Sequence, residues 1–427
     1  MNQFGDGRDW FFKSRYGLFI HWGPYSINGW HEQEQWRRSV PRDEYSSIAK
    51  TWNPHNFDPE TWIDLAEQSG MEYLILTTKH HDGFCLFETQ QTDYNFMNTP
   101  YGKDIVAILA ESCHRRGMTL GLYYSVPDWH HPNSPNQGRH HELEPQPNDQ
   151  PDPKKYRDFI KVQTKELCTN YGPIHSFWWD LGGHIREDFG GEDKSINDMI
   201  RSLQPNCIIN PRGLDDGDFS TPEREFDQDQ ASLPLLPIEA CNSVGMESWG
   251  YRESESYYSD RHIMRAMATT FAIGGNYLFN IGPKPDGTIP EKSSSILERL
   301  SQWLEATKES FFDVESAQNF SQGTGLLCTR QNMTYYIIVQ FELPGEDIHL
   351  PAVLSLPSKA TLLNTRQEIV TSNTKTPSRW RRSHGCLRIC GLPINELSGE
   401  VMVIRLEFDE ELKWDSDQTK SDQKMIM

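Results

Sequence analysis

The chain has 427 residues and a formal net charge of −20, from 41 Lys and Arg against 61 Asp and Glu. That surplus of acid argues against nucleic acid as a partner, because phosphate binding needs clustered Lys and Arg. No stretch approaches the ~18 consecutive apolar residues of a membrane span, so no membrane partner is expected, and the length suits two or three domains or one large barrel with a smaller companion.

In chain order, Tyr16–Gly23, YGLFIHWG, is an apolar strand that closes on polar residues. Pro59–Gly70 begins like a helix and stops at a glycine, and Met71–Thr78 is a second strand. Asp104–Gly117 is a helix with an acidic start and a basic last turn, as the helix dipole prefers. Met118–Ser125 is a third strand, Lys155–Tyr171 a helix, and Ile174–Asp180, IHSFWWD, a fourth strand bounded by Gly172-Pro173 and Gly182-Gly183. Ser195–Leu203 reads as helix, Asn206–Asn210 and Ile238–Asn242 as short strands, Asp260–Gly274 as helix, Tyr277–Gly282 as strand and Pro290–Phe312 as a long amphipathic helix. Between Ser125 and Lys155 the proline-rich loop Val126–Asp152 is too long for an ordinary connection, and is expected to be a mobile active-site loop or disordered.

Strands alternating with helices over about 300 residues imply a parallel sheet, and seven or so strands an irregular (β/α)8-like barrel. No GxGxxG follows the first strand, which disfavours a dinucleotide fold. Beyond Phe312, Gly325–Arg330, Tyr335–Phe341, Ala360–Asn364 and Val401–Phe408 read as short strands of a small antiparallel β-sandwich. The expected domains are therefore a catalytic barrel over 1–312, a β-sandwich over 313–410 and a disordered polar tail over 411–427.

Each predicted barrel strand ends in hydrogen-bonding side chains: His21, then His80 and His81, Tyr123, Asp180, Arg212 with Glu223 beyond it, Glu239 and Asn280. Such residues gather there when something binds at that face. Asp180, beside Trp178 and Trp179, either caps the next element or serves as a nucleophile; the stretch by itself leaves both open. Adjacent strand residues face opposite ways, so His80 and His81 cannot share a metal ion without a bulge, and no HExxH occurs. No metal or cofactor is expected. The pair His140-His141 in the long loop carries no signal of its own. The cysteines, at 85, 113, 168, 207, 241, 328, 386 and 390, form no C-x-x-C pair, so a zinc or redox motif is not expected. The N-terminal MNQFGDGRDWFFKSRYG lacks an apolar leader core, so a cytoplasmic protein is expected, or a secreted or periplasmic one if a leader has been removed.

Six motifs occur in order between Arg15 and about Pro290: FIHWGPYS (Phe19–Ser26), KHHDGF (Lys79–Phe84), GLYYS (Gly121–Ser125), WWD (Trp178–Asp180), SWGY (Ser248–Tyr251) and GGNYLFNIGPKPDGTI (Gly274–Ile289). Together they resemble the α-L-fucosidases of glycoside hydrolase family 29. The resemblance implies a barrel followed by a β-sandwich, and a retaining hydrolase that removes terminal L-fucose from a fucosylated oligosaccharide or glycoconjugate. It makes Asp180 the nucleophile and, from DFSTPEREF (Asp218–Phe226), Glu223 the acid/base, with Glu239 the rival and Glu225 a third candidate. His21, His80, His81, Tyr123, Arg212 and Glu32 would bind ring hydroxyls, and Trp178 would pack near the ring. For both histidines to reach the sugar, the chain must leave regular strand geometry at that point. The family often has Trp directly after the glutamate equivalent to Glu32; here it is Gln33, and Trp36 is the nearest aromatic replacement. Gly274–Ile289 is expected to shape the barrel rim, while Trp249 and Tyr251 stay undecided. Two other readings stay open: a barrel of this kind acting on a galactose-like or other deoxy sugar, and one that binds glycan without hydrolysing it.

Overall fold

The computed structural model describes residues 3–224, 236–321, 324–351, 353–375 and 385–414, apart from the side chains of 184, 185 and 351. The chain forms two compact units. One takes in the residues up to Arg224, the described stretch ending at Tyr258, and Asn276–Glu298; the other takes in Ser259–Gly275 and the chain from Arg299 onward.

The first unit is built on seven parallel strands: β1 (Tyr16–Ile20), β2 (Tyr73–Lys79), β3 (Thr119–Ser125), β4 (Ser176–Asp180), β5 (Ile208–Ile209), β6 (Glu239–Ser243) and β7 (Asn276–Ile281). They lie in the order β5-β4-β3-β2-β1-β7-β6. The two ends of this sheet meet through an irregular segment: Asp218 N–H donates to Ile209 O, while Ser220 and Glu223 bridge in parallel to Ile238 and Cys241. Closure removes both open edges, as expected for an irregular (β/α)8-like barrel. Every residue of β1 and β2 is buried, the reason these segments read as continuous apolar runs rather than as alternating ones.

The helices between the strands start where short acidic side chains can satisfy free backbone N–H groups. Asp58 caps α1 (Pro59–Gln68), Asp104 caps α2 (Ile105–Arg116) and Asp152 caps α3 (Pro153–Asn170). Gly117 ends α2 at φ 75°, a left-handed turn that costs glycine little. Then follow α4 (Ser195–Leu203), α5 (Asp260–Ala272) and α6 (Glu291–Thr307), the last ending earlier than the apolar periodicity predicts, in a tighter turn at Lys308–Ser310. No helix among the described residues is long and apolar enough to cross a membrane.

In the second unit a six-stranded antiparallel sheet and a three-stranded one share a single apolar core that includes Ile337, Leu350, Leu362, Leu387, Ile389 and Ile404. The described residues form a β-sandwich of nine strands. Sequence pattern picks out four of these; it misses Ile348–Pro351, Gly385–Cys390, the largely polar Val370–Lys375 and two strands of only two residues, too short to show a period. Residues 415–427, most of the tail expected to be disordered, lie outside the described residues.

Candidate active site

The barrel strands carry inward side chains at every second residue. On β4 these are Ser176, Trp178 and Asp180, with Trp178 in the interior cluster beside Phe19, Tyr123 and Cys241. Trp179 turns the other way and donates through Nε1 to Asn197 of α4 at 3.0 Å. The fourth strand therefore delivers its aspartate to the interior at the carboxyl end, where a barrel gathers its chemistry. The next residue, Leu181, has φ 54°, a costly conformation for a branched side chain, and it turns its N–H back onto Asp180 Oδ1 at 3.0 Å.

Asp180 also accepts the Tyr123 hydroxyl at Oδ2 (2.8 Å), with Arg212 Nη1 3.4 Å from Oδ1 and His81 Nε2 3.8 Å from Oδ2. Burial alone would raise this carboxyl; the Arg212 charge, His81, the Tyr123 hydroxyl and His21 outweigh it and hold the group below its ordinary 3.8. Arg212 is itself clamped, donating Nε to Thr221 Oγ1 (2.8 Å) and Nη2 to Thr221 O (2.9 Å). Its Nη1 reaches Glu223 Oε2 at 2.8 Å as well as Asp180.

A cavity of about 520 Å³ opens above Asp180 and is lined by His21, Glu32, His80, His81, Tyr123, Trp178, Arg212 and Glu223. The histidines are presented as neutral hydrogen-bonding groups. Asn280 donates its amide to Ser243 Oγ and Trp249 O, so its Oδ1, 2.7 Å from His21 Nδ1, accepts the ring N–H and leaves Nε2 as an acceptor. Likewise Ser125 Oγ donates to Pro127 O (2.9 Å) and takes the His81 Nδ1 hydrogen at 2.6 Å. Burial pushes both rings down to about 4 and His80 well below its ordinary value. The buried Nδ1 of His80 has no hydrogen-bond partner among the described residues. Glu32 accepts the Ser248 hydroxyl (2.6 Å) and the Trp249 N–H (2.9 Å). Burial pushes its carboxyl up, but His31 and the Ser248 bond bring it below the ordinary value. Among the described residues no three His, Cys, Asp or Glu side chains are grouped as a metal site requires.

A family model described as Alpha-L-fucosidase matches residues 5–309. The chain belongs to the α-L-fucosidase family, glycoside hydrolase family 29. It is a glycoside hydrolase with the barrel and β-sandwich of that family. It is 27% identical over 402 residues to an α-L-fucosidase of Dictyostelium discoideum, covering 84% of each chain. Among solved structures it is similar to α-L-fucosidase isoenzyme 1 of Paenibacillus thiaminolyticus, with 30% identity and a TM-score of 0.80 over 95% of this chain and 100% of that one. An α-L-fucosidase of Lactobacillus casei in complex with α-L-fucose product is 31% identical, with a TM-score of 0.63 over 71% of this chain and 100% of that one.

In this fucosidase the two consecutive histidines do meet the same cavity. The register between β2 and β3 shifts between Thr77 and Lys79, and the chain leaves the strand at Lys79, so His80 and His81 no longer alternate. Glu239 stands apart. It is the first residue of β6, fully buried, two inward steps below Ser243, and it does not line the cavity. Glu225, the third acid/base candidate, lies outside the described residues.

The cavity wall also holds Phe19, Gln33, His141, Cys241 and Trp249. Phe19 was readable two residues before His21. His141 was not; of the two expectations for its loop, an active-site loop agrees with its place in the wall, and disorder is corrected. The segment 126–152 is packed down by Arg42 on Asp149 (2.6 Å), by Lys79 on Asp128 (3.2 Å) and by Trp129 Nε1 on His141 O (2.8 Å). His141, at φ 64°, stacks on Trp36 with ring centroids 4.9 Å apart. Of the stretch Gly274–Ile289, expected to shape the rim, Asn276–Ile281 is the barrel strand β7 and the turn after it forms the rim: Trp22, Trp52 and Trp62 donate their indole N–H groups to Lys284 O, Pro285 O and Gly287 O.

Proposed function

We propose that this fucosidase is a retaining exo-glycosidase, with Asp180 as nucleophile and Glu223 as acid/base, acting on terminal α-L-fucosyl groups of oligosaccharides or glycoconjugates. One observation carries the reading: Asp180 Oδ1 and Glu223 Oε2 lie 3.4 and 2.8 Å from the same Arg212 nitrogen. The two oxygens are thereby confined to within about 6 Å of each other, which supports the short separation of double displacement rather than the roughly 6.5–9.5 Å that leaves room for a water.

In the first step an Asp180 oxygen bonds to the anomeric carbon as the bond to the leaving oxygen breaks. Glu223 gives its proton to that oxygen. In the second step Glu223 takes a proton from water, whose oxygen displaces Asp180 and releases fucose with retained configuration. Asp180 suits its role because it is held ionised, and Glu223 because its side chain is 39% exposed at the mouth, where the leaving group departs. Neutral His21 and His81 offer ring nitrogens to hydroxyls, and the fucose bound by the Lactobacillus casei relative supports the same ring here. Glu239 suits the acid/base role poorly, since both its oxygens are already bonded beneath the cavity.

The test is hydrolysis of an aryl α-L-fucoside by wild type, Asp180→Ala and Glu223→Ala, with and without azide. Asp180→Ala is expected to be inactive, and Glu223→Ala to lose about 10²–10⁴-fold and recover with azide, which replaces the missing base. Rescue of Glu239→Ala alone would reverse the assignment. Gln33 in the cavity wall supports a second reading, in which its amide meets a hydroxyl on C6. An aryl α-L-galactoside cleaved faster than the fucoside would favour it.

A further inference from the structure

One buried carboxylate takes no part in the chemistry above. Glu239 accepts the Tyr73 hydroxyl at Oε1 (2.8 Å) and the Trp178 indole N–H at Oε2 (3.0 Å). No cation pairs with it among the described residues, and burial pushes its carboxyl up to about 7. A carboxyl so placed is expensive if it serves only to fill space.

Its partner Trp178 is the platform on which the two donors to Asp180 rest. The Tyr123 ring stacks on the indole at 5.7 Å and 19°, and the Arg212 guanidinium lies over it at 4.8 Å. Tyr123 bonds Oδ2 of Asp180 and Arg212 reaches Oδ1. The indole has one N–H, and its bond to Glu239 sets the rotation of the ring plane that both groups lean on. A strong acceptor on that N–H also makes the indole face more attractive to the guanidinium.

We propose that Glu239 is a positioning residue for the hydrolysis, fixing the Trp178 indole and, through it, the placement of Tyr123 and Arg212 on Asp180. This rests on Asp180 being the nucleophile.

The test is kcat/KM for an aryl α-L-fucoside across pH for Glu239→Gln, Glu239→Ala, Trp178→Phe and the double variant Glu239→Ala/Trp178→Phe. The groups facing Asp180 are Arg212, Tyr123, His81 and His21, with Glu223 bonded to the same Arg212 nitrogen that reaches Asp180. With Arg212 and Tyr123 displaced, its carboxyl rises and the acid limb of the profile moves to higher pH. Glu239→Ala is expected to lose about ten- to a hundredfold, the worth of a hydrogen bond to a charged group, with azide restoring nothing. Glu239→Gln keeps an acceptor for the indole and should recover most of that loss. Trp178→Phe removes the N–H and should reproduce the shifted limb, and Glu239→Ala should then add little to it, as expected for two groups acting through one contact. Equal losses for Gln and Ala with the limb unmoved, additive losses in the double variant, or azide rescue of Glu239→Ala would each overturn the proposal. Turnover surviving in Asp180→Ala would overturn the nucleophile assignment itself; an unmoved limb with Asp180→Ala inactive overturns only the role of Glu239. Thermal unfolding of each variant identifies any that fail to fold, and Glu239→Gln, nearly isosteric, then decides.

Discussion

Tyr123 donates its hydroxyl hydrogen to Oδ2 of Asp180 across 2.8 Å, from a phenol that is itself buried. A hydrogen bond to the charged form favours ionisation, so its loss must raise the carboxyl. Such a bond is worth about 1.5–3 kcal/mol, which corresponds to roughly one to two pH units. Tyr123→Phe is therefore expected to move the acid limb of kcat/KM upward by about that much. A limb that stays in place would show that the phenol does not stabilise the ionised form of Asp180.

Lys79 and Asp128 form an ion pair at 3.2 Å with both side chains almost wholly buried. Burial would raise Asp128, but Lys79, His131 and His130 overcome it and hold the carboxyl at about 2 against its ordinary 3.8. A depressed carboxyl contributes stability that is complete above pH 3.8 and lost as pH falls towards 2. Lys79→Met leaves Asp128 uncompensated and should cost about 3–5 kcal/mol in urea denaturation at neutral pH, with Lys79→Met/Asp128→Leu recovering much of it. Equal instability of single and double variants would mean that packing, not charge, is lost.

Trp36 does not line the cavity but backs His141, which does. Truncating it should loosen the rim while leaving the cavity around Asp180 standing. A stacked aromatic pair is worth about 0.5–1.5 kcal/mol, so Trp36→Ala is expected to reduce kcat/KM on a fucosyl disaccharide about two- to tenfold, with a smaller effect on fucosyl fluoride. Equal losses on both substrates would place the effect in the pocket.

All eight cysteines are free, and seven are buried; Cys390 alone is partly exposed. Cys241 borders the cavity, yet it is 1% exposed and burial pushes its thiol up, so it holds little nucleophilic thiolate. Iodoacetamide should therefore modify Cys390 first with activity retained, as read by peptide mapping. Early loss of activity with modification at Cys241 would contradict this.

What could be read without the fold was local. Runs such as YLILTT and SFWWD announce buried strands because both faces of a barrel strand are covered. Asp104 before IVAILAESCHRR, and Gly117 after it, mark a helix by the backbone groups they satisfy or permit. Asp180 stood out because the end of a parallel strand is where such a sheet exposes a side chain.

The choice between Glu223 and Glu239 was not local. Both follow apolar or turn residues and either suits an acid. Register separates them, since Glu239 opens β6 at the buried end of the barrel, whereas Glu223 bridges to Cys241 higher up and shares Arg212 with Asp180. His141 was equally hidden, because the contacts that hold it at the cavity, the Trp36 ring and the Trp129 indole N–H among them, come from residues remote in sequence from the histidines it joins. The order and type of the barrel elements were thus determined by the sequence itself, through periodicity and capping within a few residues, whereas most strands of the sandwich were not. Which polar groups face one cavity was decided only by tertiary structure, because strand register and loop packing depend on contacts between residues far apart in the chain.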